Sequence, residues 1–305
     1  MKTEEHILIE HTDVNLDNIN LPELSKEELL DIEKMVEFTR HFLEINQLYR
    51  VFQVNLNEIL YHYTLNTNDT IEKMTECNDG VEDIIIINAL VINYISSAKT
   101  FTEAIENFNI DKLGEDTNVL FKDTCLSKIY DKTFSYRLLI RLRDYSQHGH
   151  LPVYESWDKK YSFDLEQILN TPHFRHNSKL EKEINEIKEK IVEQYRDNPR
   201  IMFTRTIAEF QLCIMEIYKS FIELITPEMK RIVGIIDELV KKRPEIIYNS
   251  KDMFNGYILY EIKDKSIHCI NPNDKPMETL EKIKSDLEKH YEKEKEIFQD
   301  CFKEK

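Results

Sequence analysis

Leu24-Ser25-Lys26-Glu27-Glu28-Leu29 opens the segment whose reading decides the fold. Ser25 can accept from the amide three residues on, Glu28 can reach back to the Ser25 amide, and Leu24 can staple onto Leu29. That is a helix start, and apolar residues then recur at helical spacing to about Tyr63. The polar turn Asn66-Thr67-Asn68-Asp69 predicts its end. So long a helix suits a chain that has only 5 Gly and 8 Pro in 305 residues, where turns are few and the elements between them long. The expectation is an all-α protein, which excludes a β-sandwich, a barrel or a glycine-looped nucleotide fold.

Further along, a second helix is expected after Asp79-Gly80, running through Asn93-Tyr94-Ile95-Ser96-Ser97-Ala98 to about Phe108. A third helical region spans about Asn118 to His148, broken near Asp131 and stopped by Gly149 and Pro152. Residues 151–177 carry Pro152, Trp157 and Pro172 without a sustained period, which predicts a loop with one short strand and one short helix. Leu180, Ile184, Ile187 and Ile191 mark a charged amphipathic helix. Pro199 after Asn198, and Pro227 after Thr226, read as capped first positions of two helices, about 199–225 and 227–242. The β signal lies in residues 256–262 and 266–270, two alternating runs around Asp264-Lys265, which predict a small C-terminal hairpin. A last helix from about Met277 to Phe302 carries Leu280, Ile283, Leu287, Tyr291 and Phe298 on one side. The expected organisation is an N-terminal arm (1–24), a helical bundle (25–245) and an appended hairpin with a terminal helix (246–305).

Charge and composition bound the function. A net charge of −16 repels polyanions at long range and argues against non-specific coating of nucleic acid. Catalysis on a single phosphodiester needs only local positive charge and is not excluded. Five scattered cysteines (Cys77, Cys125, Cys213, Cys269, Cys301), never in a CxxC pair, predict buried thiols. The apolar run Ile84 to Ile95 is interrupted by Asn88 and Asn93 and falls short of the roughly 20 residues of a membrane helix. With no signal-peptide pattern at Met1-Lys2-Thr3-Glu4-Glu5-His6, a cytoplasmic protein without membrane association is expected.

The chemistry concentrates in Tyr136-Arg137-Leu138-Leu139-Ile140-Arg141-Leu142-Arg143-Asp144-Tyr145-Ser146-Gln147-His148-Gly149-His150. From residue 128 to 150, Lys128, Lys132, Arg137, Arg141 and Arg143 stand against only Asp131 and Asp144, a basic island in an acidic chain. On a helix Arg137, Arg141, Asp144 and His148 share one face, while Leu138, Leu142 and Tyr145 can anchor another in a core. His148 falls at the predicted helix end, where the macrodipole favours its protonated form and the arginines oppose it. Such opposing influences suit an acid–base group.

Arg143-Asp144-Tyr145-Ser146-Gln147-His148 resembles the R-x4–6-H motif of the HEPN superfamily, with Asp144 in the polar slot after the arginine. The resemblance implies a HEPN-like helical bundle and metal-independent RNA cleavage, with no cofactor. His148 would assist removal of the 2′-hydroxyl proton and Arg143 would stabilise the charged phosphorane, with Asp144 the third motif residue. Arg141, Arg137, Tyr145, His150 and Lys132 would be the substrate-binding residues around them. Because five residues of unbroken helix would turn Arg143 away from His148, the helix must end early or a second subunit must complete the site. The resemblance implies the latter, a homodimer, and a toxin–antitoxin or phage-defence role in which an antitoxin or regulatory protein is a possible partner. A non-catalytic HEPN-like interaction or regulatory module is the alternative. The rival chemistry is a metal held by His148-x-His150 and His173-x-x-His176, but a His-x-His pair straddling Gly149 at a helix end fits a metal poorly.

Overall fold

The computed structural model describes residues 25–67, 83–155, 161–171, 178–195, 200–242, 249–250, 254–255, 258–261, 266–269 and 276–301. Leu24, Asp69, Asp79-Gly80, Trp157, Pro172, the histidines 173 and 176, Asn198-Pro199, Gly256 and Asp264-Lys265 lie outside the described residues.

The first helix, α1 (Lys26–Thr67), starts as its sequence requires. The Ser25 amide donates to Glu28 Oε2 at 2.8 Å, and the Glu28 amide donates back to Ser25 Oγ at 3.2 Å. In chain order there follow α2 (Asp83–Phe108), α3 (Glu115–Phe121), α4 (Ser127–Lys132), α5 (Phe134–Gln147), β1 (Tyr154–Glu155), β2 (Tyr161–Asp164), α6 (Leu165–Asn170) and α7 (Ser178–Tyr195). Then come β3 (Arg200–Met202), α8 (Phe203–Lys242), the strands β4 (Asn249–Ser250), β5 (Phe254–Asn255), β6 (Ile258–Glu261) and β7 (Ser266–Cys269), and α9 (Pro276–Cys301). The protein is mostly helical, with a small C-terminal hairpin in which Ile258 pairs with Cys269 and Glu261 with Ser266. Two five-residue π-helical turns, Asn109–Leu113 and Lys122–Leu126, flank α3, so the third region begins three residues earlier than expected.

The chain divides into two compact units, one from Met1–Phe42 and Ile222–Ser285, the other from Leu43–Phe221 and Asp286–Lys305. In the first, Met35, Phe38, Phe42, Ile222, Ile225, Met229, Ile232 and Leu280 are buried. In the second, aromatic rings bind the long helices together. Phe52 of α1 stacks on Tyr94 of α2 at 4.7 Å between centroids, and Tyr49 meets Tyr218 of α8 at 4.5 Å. Tyr136 of α5 stacks on Phe210 of α8 at 5.7 Å. Burying each such ring contributes about 1.5–3 kcal/mol, against about 1 kcal/mol for a helix cap, so this packing dominates the local helix signals. The phenols keep partners, Tyr94 donating to the Ile207 carbonyl at 3.3 Å and Tyr218 to Asn46 Oδ1 at 2.9 Å.

The membrane expectation needs adjustment. Together with its π-helical turn, the helix Asp83–Leu113 is 31 residues long and apolar enough, by length and composition, to cross a membrane. Here its face serves a core, since Val91, Tyr94, Ile95, Ala98, Phe101 and Ile105 are fully buried. Cys125 and Cys213 are buried as expected, and burial pushes their thiols up to about 11 and about 12. Cys301, by contrast, is exposed near the end of α9. Cys77 lies outside the described residues.

Two helix starts are corrected. Arg200–Met202 form a strand that pairs antiparallel with β2, Phe163 opposite Ile201, so α8 begins at Phe203. The Phe203 ring stacks on Phe163 at 5.6 Å and on Tyr63 at 6.0 Å, and this aromatic cluster ties sheet to helix. The described residues of 151–177 therefore contain two strands, β1 and β2, and one short helix. Nor does Pro227 open a helix; it sits inside the continuous α8. Ile225 and Met229 are fully buried on either side of it, and one uninterrupted apolar stripe outweighs the amide that Pro227 cannot donate to Glu223. Because proline costs about 3 kcal/mol in a helix interior, of which roughly 0.4–1 is returned by a stiffer unfolded chain, Pro227→Ala should stabilise the protein by about 2 kcal/mol. Urea denaturation measures it, and a destabilised variant would mean that the ring itself is needed.

Candidate functional site

The site lies within the second unit, on α5. Thr133, extended at φ −114° and ψ 112°, breaks the chain between α4 and α5, two residues beyond the expected break. One face of α5 is locked into the core, with Leu138, Leu139 and Leu142 fully buried and Tyr145 nearly so. The helix ends where the sequence predicts. His148 is its C-terminal cap at φ −90° and ψ 15°, its amide donating to the Asp144 carbonyl at 3.2 Å and to that of Tyr145 at 3.3 Å. Gly149 turns the chain at φ +88° and donates to the Ser146 carbonyl at 3.0 Å. A Cβ there would meet nothing, so glycine is required for its backbone conformation and not for space.

The three motif residues occupy different settings. His148 is exposed, and Asp144 is half-buried with Oδ2 3.7 Å from Arg141 Nη1 in a surface ion pair. Arg143 is half-buried, and its Nε is enclosed without a hydrogen-bond partner among the described residues. Because α5 runs unbroken to Gln147, Arg143 and His148 leave its axis about 140° apart at 3.6 residues per turn. The helix does not end early, and a single chain directs the two side chains apart.

The surrounding basic residues divide. Arg137 is buried at 2% exposure, with Nε donating to Glu183 Oε2 at 2.9 Å and Nη2 to Glu183 Oε1 at 2.5 Å. Its Nη1 donates to the Tyr130 carbonyl, and the guanidinium lies over the Tyr130 ring at 5.9 Å. Arg137 thus braces α5 to α7 and does not share the exposed face with Arg141. Tyr145 is buried and stacks on the His150 ring at 4.7 Å between centroids; burial raises its phenol, while a hydrogen bond with Thr171 counters. Lys132 is exposed at the end of α4. Beside it Asp131 accepts from Lys179 at 2.7 Å, a bond that holds its carboxyl below the usual range.

The sequence assigns no role to Asn88, a polar residue within an apolar run. It is fully buried on α2, where its side-chain amide pairs with the backbone of Val153. The available signal was a polar residue on the inward stripe defined by Ile87, Val91 and Ile95. Among the described residues no three His, Cys, Asp or Glu side chains are grouped to hold a metal ion; His173 and His176 are not among them. No family model matches this chain, and no curated protein or solved structure matches it.

Proposed function

We propose that this protein is a HEPN-type endoribonuclease that cuts RNA without a metal, acts as a homodimer in the cytoplasm, and serves as a toxin or phage-defence effector. The observation that carries the reading is the end of α5. A helix anchored in the core delivers His148 to solvent at its cap, with Asp144 half-buried one turn back, Arg141 exposed two turns back, and the Arg143 Nε enclosed without a hydrogen-bond partner among the described residues. His148 takes the 2′-hydroxyl proton, the 2′-oxygen attacks phosphorus, and Arg143 stabilises the negative charge of the phosphorane. Expulsion of the 5′-oxygen leaves a 2′,3′-cyclic phosphate. Divergence of the two side chains on one helix favours a site shared across a two-fold axis.

Purified protein should cleave RNA in EDTA, spare DNA, leave 2′,3′-cyclic phosphate ends, and scatter light as a dimer. Cleavage that appears only with added zinc, manganese or magnesium would overturn the reading and revive the histidine pairs. The second reading is a non-catalytic interaction module. It is favoured by the engagement of Arg137 and Arg141 with Glu183 and Asp144, and by the exposed Val51, Val54 and Tyr61 at helical spacing on α1. It predicts no cleavage under any metal condition.

A further inference from the structure

We infer that Asn88 is the positioning residue that fixes the chain leaving His148, an inference that rests on the nuclease reading for its functional consequence. The Val153 amide donates to Asn88 Oδ1 at 2.8 Å, and Asn88 Nδ2 donates to the Val153 carbonyl at 2.9 Å. The second Nδ2 hydrogen goes to the Ile84 carbonyl at 2.8 Å, one turn back on α2. A carboxamide presents one acceptor and one donor side by side, as a peptide group does, so Asn88 pairs with Val153 as a neighbouring strand residue would. Val153 is the residue before β1, so the contact fixes the chain where it enters the sheet.

The chemistry of the contact selects asparagine. Aspartate would set a carboxylate against the Val153 carbonyl, leucine would leave a buried amide and carbonyl unpaired, and glutamine is one methylene too long. Only four residues separate His148 from Val153. Within them the Gly149 amide is tied to Ser146 and the His150 ring rests on Tyr145, both anchors on α5 itself. Asn88 supplies an anchor from a different helix. It converts a flexible exit from α5 into a segment held at both ends, and so determines where the His148 imidazole can stand.

The test uses the full chain, labelled for NMR, with Asn88→Leu and Asn88→Asp. In the wild type the Val153 amide should exchange about 100-fold or more slower than in a free peptide. In Asn88→Leu that protection should vanish, the His148 ring should gain motion, and kcat on RNA should fall roughly ten- to hundred-fold with KM unchanged. Asn88→Asp keeps the acceptor for the Val153 amide but sets a buried carboxylate oxygen against the Ile84 and Val153 carbonyls, so protection and kcat should fall there as well. An unprotected Val153 amide in the wild type overturns the inference, whether or not the leucine variant folds. So does a folded Asn88→Leu with unaltered kcat in an active enzyme, or with an unaltered His148 ring. If the wild type cleaves no RNA, the nuclease reading fails, and His148 ring motion alone then decides the role of Asn88: increased in the variants it stands, unchanged it falls.

Discussion

Replacing Glu183 by alanine is expected to destabilise the protein by about 3 kcal/mol, because it strands the Arg137 guanidinium in the core without its counter-charge. Arg137 has 3% of its side chain exposed and directs two donors at the Glu183 carboxylate, with a third on the Tyr130 carbonyl. The effect belongs at the lower end of the range for a broken buried pair, since Glu183 keeps 28% of its side chain in water and solvent can enter from that side. The melting temperature should drop by roughly 6–12 °C. Arg137→Met, which removes the charge and fills the space with an apolar chain, should cost much less, since a buried pair is frequently no better than a packed apolar substitute. A shift below about 2 °C for Glu183→Ala would show that the pair is superficial. The methionine variant carries a second reading: if Arg137 braces the fold, cleavage per folded molecule survives, whereas loss of cleavage at unchanged melting temperature would make it a substrate contact.

What could be read from the sequence follows from how local each signal is. The Ser25–Glu28 cap, the stop at Gly149 and the alternation of the C-terminal hairpin each depend on residues a few positions apart, and each forms as read. Pro227 misleads because its local preference, a helix start, is outweighed by the burial of Ile225 and Met229, which only the tertiary structure supplies. The strand at Arg200–Met202 needs β2 as its partner, and no periodicity of its own announces it. At the site the same rule separates what was visible from what was not. The helix, its anchored face and its end at His148 were legible, whereas the partners of Arg137 and Asn88 lie 46 and 65 residues away in sequence. Helical spacing alone placed Arg137 with Arg141 on one face, yet one turn of α5 carries the chain from the core to the surface.

Arg143→Ala and His148→Ala should each lower RNA cleavage by roughly 10²–10⁴-fold, the usual loss for a positioned acid–base group or a charge that acts on the transition state. Neither should unfold the protein. His148 is an exposed cap, and truncating Arg143 removes an enclosed Nε that has no partner among the described residues, so stability should hold or rise slightly. Arg141→Ala should have a smaller effect, because the surface pair it forms with Asp144 is worth only about 0–1 kcal/mol. Melting curves and cleavage rates on the same variants separate a catalytic pair from a structural one, since a structural pair would lower the melting temperature and leave activity per folded molecule unchanged. The geometry of α5 permits a sharper test. If Arg143 of one subunit works with His148 of the other, mixing inactive Arg143→Ala with inactive His148→Ala produces mixed dimers in which one site carries both substitutions and the other carries neither. Cleavage should then return, to about half the wild-type rate per mixed dimer, as counting intact sites under two-fold symmetry requires. If both groups act within one chain, every site in every mixture lacks one of them and no activity returns, which would end the shared-site account while leaving the roles of the two residues open to the single-variant rates.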